Sequence, residues 1–376
     1  MTLEAQPGID GVELEIPTIL KALLLSSKPD LPEMHLILGL KASGVEIDLV
    51  LDPNVSGEKF STVGINIIPL AFSSRFSWRA MKSLRLLLKT RQYDLVHSFS
   101  ARALSNALLA SIGIAVKQVA YRGTMGHLNK LDPTSWFSFL NPRLDRISCV
   151  SEAVRRYMIS QGIPSHKAAT IYKGHDLGWY DVPPYDLTVL GIPPGAEVIS
   201  CTANMRPVKG VDLLIEAFGA LGEHSRAHLL LIGEVRDDRI KKLIRESPAK
   251  DRIHTPGYRN DAAQLVRASQ IGVMASRERE GLPKAVIETM ALGVPPIVTA
   301  VGGMPELVED QVSGLVVPPN DIGALSNALR SLLENPTKRA LLGAAARLRI
   351  AEKFRIESTV QKTLELYQEV TAVNLG

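Results

Sequence analysis

Short apolar runs recur along this 376-residue chain, and almost every one is followed by a loop or a stretch of helical period. Seven occupy the first half: ALLLSS (22–27), EIDLVLD (46–52), INIIPL (65–70), YDLVHSFS (93–100), KQVAYRG (117–123), DRISCVS (145–151) and ATIYKG (169–174). Helical patterns fall between them, as over 33–42, 76–88 and 101–113. A strand separated from the next by a helix cannot pair with it as a tight hairpin. The pattern therefore specifies right-handed βαβ units and a parallel sheet covered by helices on both faces.

The alternation breaks once, in GHDLGWYDVPPYDLTVLGIPPGAEV (174–198), where Pro183, Pro184, Pro193 and Pro194 punctuate a stretch with neither period. It restarts with VISCTAN, HLLLIG, RIHTPG, IGVMAS, PPIVTA and SGLVV (198–317) and ends in three helical stretches. The expected fold class is α/β, with two tandem doubly wound, Rossmann-like parallel-sheet domains. The expected boundaries are 1–182, a linker at 183–196, 197–355, and a C-terminal helix over 356–376 with the N-terminal domain as its candidate packing partner. A chain of this length also exceeds one ordinary hydrophobic core. Ligands of such sheets bind beyond the carboxyl ends of the strands, so two domains enclose a cleft.

Several classes are excluded. With 45% hydrophobic and 22% charged residues the chain is neither disordered nor collagenous. Cys149 and Cys201 lie in apolar runs and read as buried small hydrophobes in a reducing compartment. The polar, acidic MTLEAQPGIDGVELE at the start is unlike a signal peptide, and no run reaches the ~20 apolar residues that span a bilayer. The expected location is the cytoplasm, including the inner membrane surface. No G-x-G-x-x-G follows the first strand, and G-x-x-x-x-G-K-[ST], H-E-x-x-H, C-x-x-C and G-x-S-x-G are all missing, so no metal site is read.

The richest segment is RERE-GLPKAVIETMALGVPPIVTAVGGMPELVEDQVSGLVVPP (277–319). It contains an E-x7-E pair (Glu280, Glu288), then AxGxPxIxT (291–299), GGxPE (302–306) and SGLVVPP (313–319). Upstream, TANMRPVKG (202–210) places Arg206 and Lys209 at a strand-to-helix turn. This ordered set resembles the donor-binding core of the family 4 glycosyltransferases, which have the two-domain GT-B fold. The resemblance implies a metal-independent, retaining transferase that needs no cofactor, its nucleotide sugar (a UDP- or GDP-sugar) being a substrate. It assigns Glu280 to the donor-sugar hydroxyls, Glu288 to the ribose, and Gly281, Leu282 and Pro283 to the donor loop between them. It places the base at Tyr258, held largely through backbone.

Elementary chemistry agrees with the resemblance. Two helical glutamates eight residues apart would lie ~12 Å apart at 1.5 Å per residue. That exceeds the roughly 5–9.5 Å between paired glycosidase carboxylates, which disfavours hydrolysis. Arg206 and Lys209 beside a helix start suit a diphosphate that gains charge as it leaves, and Gly210 admits close backbone approach. The amides of Gly302 and Gly303 are candidate anion donors by the same logic.

The N-terminal half departs from the family. Lys28-Pro29-Asp30 stands where many members have a glycine pair, which makes Lys28 a cleft candidate. Many members carry His-Gly after the fifth strand; here the stretch reads Tyr121-Arg122-Gly123-Thr124, with His127 beyond it. Arg122, at the strand end, is expected to matter more than His127. His175 replaces the usual Asn-Gly and is expected to face the cleft, whereas His97, inside a strand, is expected to be packed.

Charge is uneven. Between Arg75 and Arg156 there are fourteen Lys/Arg and four Asp/Glu, although the whole chain is only +4. On a helical wheel Arg75, Arg79, Lys82 and Lys89 share a face with Trp78 and Leu86, while Phe76, Met81, Leu84, Leu87 and Leu88 face the other way. A basic face carrying an exposed Trp and Leu suits an anionic membrane surface, through the 75–91 helix. No nucleic-acid motif accompanies it. The expected activity is sugar transfer from a nucleotide-diphosphate sugar to a hydroxyl of a carbohydrate or glycolipid, lipid-linked or of lipopolysaccharide type. The alternatives are a nucleotide-sugar 2-epimerase and a non-catalytic sugar-nucleotide-binding protein.

Overall fold

The computed structural model describes residues 19–222 and 226–372, so the acidic stretch 1–15 lies outside the described residues. All thirteen apolar runs are strands. The first sheet holds β1 (Lys21–Leu25), β2 (Glu46–Leu51), β3 (Asn66–Pro69), β4 (Leu95–Ser98), β5 (Lys117–Arg122), β6 (Arg146–Cys149) and β7 (Ala168–Thr170). The second holds β8 (Glu197–Thr202), β9 (Ala227–Ile232), β10 (Ile253–Gly257), β11 (Ile271–Met274), β12 (Pro296–Thr299) and β13 (Leu315–Val317). Their orders are β3-β2-β1-β4-β5-β6-β7 and β10-β9-β8-β11-β12-β13, with parallel pairing throughout. Each sheet reverses direction of winding beside its first strand, and a crevice opens there at the carboxyl ends.

The strands read as continuous apolar runs because helices bury both faces; β1 is buried from Ala22 to Leu25. Small polar caps start the helices that follow. Asp30 accepts from the Glu33 amide at 3.1 Å to open Leu31–Ala42, a helix that admits Pro32 because its first turn needs no amide there. Ser100 and Ser151 cap Ala101–Ala110 and Glu152–Ser160 in the same way. These helix N-termini lie just beyond β1, β4 and β6, on the cleft side.

The segment from 171 to 196 contains no strand, only single 3₁₀ turns at Leu177–Tyr180 and Leu187–Leu190. Tyr185 donates its amide to the Gln264 carbonyl at 3.1 Å, which ties the segment to the second domain. The helix Ile356–Thr371 returns to the first domain and packs along Leu31–Ala42. A Cβ at Gly39 would lie 2.5 Å from Val360, so glycine sets how closely the two helices approach. Tyr367 Oη meets His97 Nδ1 at 2.7 Å in the core, and burial pushes the His97 imidazole down to about 3. His97 is therefore packed, as its strand position implies.

The basic helix starts later than a wheel over 75–91 assumes. Ser77 caps the helix, which runs Trp78–Arg91, so Arg75 and Phe76 precede it. Phe76 is exposed and edge-on to Phe137 at 5.3 Å, not packed inward. Arg75 donates to Thr134 Oγ1 at 2.6 Å. Within the helix Ala80, Leu84 and Leu88 are buried, and Trp78 and Leu86 are 78% and 64% exposed.

Candidate active site

The loop after β8 carries Arg206 and Lys209 and ends at Gly210, whose φ of +61° favours glycine. A Cβ there would also lie 2.0 Å from the Ala275 carbonyl oxygen, so the phosphate-loop candidate is pressed onto the end of β11. Lys209 Nζ donates to Glu280 Oε1 at 2.7 Å, and the pair is largely buried, with side-chain exposures of 16% and 9%. Ser276 Oγ donates to the same carboxylate oxygen at 2.5 Å, and the Ser276 carbonyl accepts from Thr299 Oγ1. Glu280 is thus fixed by one cation and one hydroxyl, and Lys209 keeps two further N–H donors.

Gly302 and Gly303 pack against the loop that carries Glu280. The Gly303 amide is engaged with the Glu280 carbonyl at 3.2 Å. Cβ atoms at the two positions would lie 1.8 Å from the Glu280 carbonyl oxygen and 1.9 Å from that of Gly281. The glycine pair backs the Glu280 loop, and its close approach excludes side chains. Gly281 in turn presses on the Gly123 carbonyl across the cleft, where a Cβ would lie 2.0 Å from the oxygen.

Two cavities meet at Arg206. One, of about 370 Å³, lies between the domains and is lined by Gly123, Thr124 and His127 on one side and by Arg206, Lys209, Glu280, Leu282 and Pro283 on the other. The second, of about 730 Å³, lies in the C-terminal domain and is lined by Asn204, Arg206, Gly233, Glu234, Tyr258 and Arg259. Tyr258 is exposed at its rim, while Arg259 pairs with Asp261. Among the described residues no three His, Cys, Asp or Glu side chains converge as a metal-ligand set.

Three expected site residues stand elsewhere, and a fourth, His127, is in place. The Arg122 guanidinium is turned into its own domain, stacked over the Phe139 ring at 4.7 Å and donating to the Gly126 carbonyl. Burial lowers its pKa, and it lines neither cavity. His127, the residue ranked second, lines the central cavity from a left-handed backbone position with φ of +63°. His175 is buried in the crossing segment: its Nδ1 meets Tyr180 Oη at 2.5 Å and its amide donates to the Phe354 carbonyl at 2.7 Å. Burial, reinforced by Lys173, pushes that imidazole down to about 3, so His175 is a packing residue and not a cleft ligand. Lys28 is exposed and lines neither cavity. Its neighbour Asp30 pairs with Lys173 at 2.5 Å; burial raises the Asp30 carboxyl, yet Lys173 holds it below its ordinary value.

Glu288, the second glutamate of the pair, lies on the helix that follows the Glu280 loop. It sits on the helix Lys284–Ala291, accepts from Lys284 at 3.2 Å, and lines neither cavity. Burial raises its carboxyl, with Lys284 pulling the other way, and its charge is felt at Tyr180. Ser276, Glu234 and Arg259 were not singled out from the sequence, because nothing in their spacing marks them.

Known proteins match this arrangement in two halves. Residues 34–179 match the family described as Glycosyltransferase Family 4, and residues 186–349 match Glycosyl transferases group 1. The chain belongs to the family 4, group 1 glycosyltransferases. Among curated relatives, the D-inositol 3-phosphate glycosyltransferase of Kineococcus radiotolerans is 28% identical over 60% of this chain and 57% of its own length. The match thus spans little more than half of that relative. The lipopolysaccharide core biosynthesis mannosyltransferase LpsB of Rhizobium meliloti is 26% identical over 63% of this chain and 69% of its own. The crystal structure of Anabaena Alr3699/HepE in complex with UDP superposes with a TM-score of 0.76 at 20% identity, covering 93% of this chain and all of that one. At that identity the likeness establishes the fold, and the two family 4 glycosyltransferase domains here have the GT-B architecture.

Proposed function

We propose that this glycosyltransferase moves a sugar, with retention, from a UDP- or GDP-sugar to a hydroxyl of a carbohydrate or glycolipid acceptor. The observation that carries this is Arg206 lining both cavities. A nucleotide sugar is a long molecule with its charge in the middle, and Arg206 stands where base cavity and sugar cavity join. Lys209 lies beside it, so both cations face the diphosphate as the glycosidic bond breaks and negative charge develops there. Glu280, held by Lys209 and Ser276, accepts from the sugar hydroxyls. The acceptor approaches from the face the diphosphate leaves, and the leaving phosphate takes its proton. UDP bound to Alr3699/HepE supports the donor class.

A thermal-shift panel of UDP, GDP, ADP and their sugars tests the donor. One nucleotide is expected to raise the melting temperature, equivalent to about 2.7 kcal/mol at a hundredfold excess over Kd. Arg206→Ala is expected to abolish the shift. Release of nucleotide that rises with acceptor distinguishes transfer from epimerisation and from binding alone. No shift with any member of the panel removes the reading.

The acceptor is proposed to lie at an anionic membrane surface on the cytoplasmic side. No helix among the described residues is long and apolar enough to cross a membrane. Trp78 and Leu86 are exposed among Arg79, Lys82 and Lys89, and Phe76 joins this face to Phe137, beside exposed Trp136 and Leu131. Basic and large apolar side chains on one face fit the interface of an anionic bilayer. Co-sedimentation with phosphatidylglycerol vesicles is expected, weakened several-fold in Trp78→Ala and by salt; equal pelleting with neutral vesicles alone or none at all rejects it.

A further inference from the structure

The GGMPE segment ends in Glu306, and its carboxylate reaches out of its own domain. Glu306 Oε2 accepts from the Glu152 amide at 2.8 Å and Oε1 from the Ala153 amide at 2.7 Å. Those are the first two amides of the helix Glu152–Ser160, whose third free amide is satisfied by Ser151. Tyr172 Oη, also from the first domain, donates to Oε2 at 3.0 Å. Burial, together with the Glu306 charge, pushes the Tyr172 phenol up to about 12, so it stays a donor at any physiological pH. A carboxylate spanning the open amides of a helix start is a charge-assisted, two-point contact aligned with the helix dipole.

At its other end the same segment grips the donor loop. Gly303 donates to the Glu280 carbonyl, and the Gly302 and Gly303 backbones lie against Glu280 and Gly281. Arg349 holds the far side, donating to the Glu306 and Leu307 carbonyls. Around the contact, Val150 and Val154 of one domain share a core with Leu282 and Met304 of the other. One short segment therefore connects the Glu280 loop to the helix after β6 in the opposite domain.

We propose that Glu306 is a positioning residue, a strut that sets the donor loop in register with the acceptor domain. It touches no reacting atom; it fixes the distance between Glu280 on one side of the cleft and His127 on the other. This rests on the proposed transfer reaction for its kinetic consequence, but its geometric consequence stands alone. Misplacement of a reacting group by about 1 Å can cost on the order of a hundredfold. Glu306→Ala is therefore expected to lower kcat by roughly ten- to a hundredfold while donor KM stays within about twofold, since the donor is held by the C-terminal domain. Glu306→Gln keeps one carbonyl acceptor and is expected to fall between. Tyr172→Phe, which leaves both amide contacts, is expected to stay near wild type.

The decisive readout is the distance between spin labels at Ser160→Cys and Lys242→Cys, one in each domain, measured with and without Glu306→Ala. Both native cysteines are buried, so the labels report the two surfaces. A longer and broader distance distribution in Glu306→Ala supports the strut, and Glu306→Gln serves if the alanine variant fails to fold. An unchanged distribution with unchanged kcat overturns it, as does a rise in donor KM with kcat retained. If wild-type protein turns over no donor but the distances shift, the strut stands and the transfer reading falls.

Discussion

Lys209→Ala is expected to lower turnover by about a hundred- to a thousandfold, the range for removing one preplaced donor from a developing oxyanion (about 2.7–4 kcal/mol). The same substitution should destabilise the fold. Lys209 is the cation paired with Glu280, and both side chains are mostly out of water. Removing one partner of a buried pair costs about 3–5 kcal/mol in the general case. Here Ser276 still donates to the carboxylate, so the lower end applies. Adding Glu280→Gln to Lys209→Ala removes the stranded charge and is expected to restore much of the melting temperature. It should restore none of the turnover, because both groups are proposed to act on the donor. The double-mutant cycle therefore separates two roles of one ion pair: large coupling in stability, no rescue in kcat. Turnover of Lys209→Ala within threefold of wild type would show that the cation contributes only to folding.

The fold was legible because parallel sheets are buried on both faces. Thirteen apolar runs became thirteen strands, and the single interruption of the pattern is the crossing segment between two sheets. Boundaries were less legible where a cap, not periodicity, decides them. The wheel ran on through Phe76 because its spacing fits a helix, but the Ser77 hydroxyl accepts from Ala80 and starts the helix two residues later than that reading. Those two residues leave Phe76 in an exposed aromatic face instead of at a core position.

The site divides the same way. The loop around Glu280 could be read because its shaping partners stand in recognisable motifs: Lys209 and the glycine pair both meet it along one sheet's carboxyl edge. What sequence order hides is direction. Arg122 and His175 occupy the positions expected, yet a nearby aromatic ring claims each of them: Phe139 stacks beneath the guanidinium and Tyr180 against the imidazole. Glu306 was visible only as the last letter of a motif. Its partners lie about 150 residues earlier in the chain, and no spacing rule joins a carboxylate to helix amides in another domain. Gly302 and Gly303 suggest an anion site in sequence; in the structure the Gly303 amide bonds the Glu280 carbonyl, and neither position has room for a Cβ.

Arg122 and His127 give the sharpest test of direction over position. His127→Gly removes the one imidazole lining the central cavity and leaves a residue suited to its φ of +63°. A non-glycine residue held there costs on the order of 1 kcal/mol, so the variant should be as stable as wild type or slightly more so. Its kcat/KM is nonetheless expected to fall by about a hundredfold, within the range for a positioned imidazole. Arg122→Ala should do the opposite. It loses a desolvated stacking contact and a hydrogen bond to the Gly126 carbonyl, together about 2–3 kcal/mol. Turnover below its lowered melting point should stay within several-fold, since the guanidinium faces Phe139 and not the cavity. The residual loss has a physical route: Gly126 lies one residue before His127, so releasing its carbonyl loosens the loop that presents the imidazole. An Arg122→Ala protein with normal melting and a hundredfold loss of kcat/KM would mean that the guanidinium swings into the cleft when donor binds.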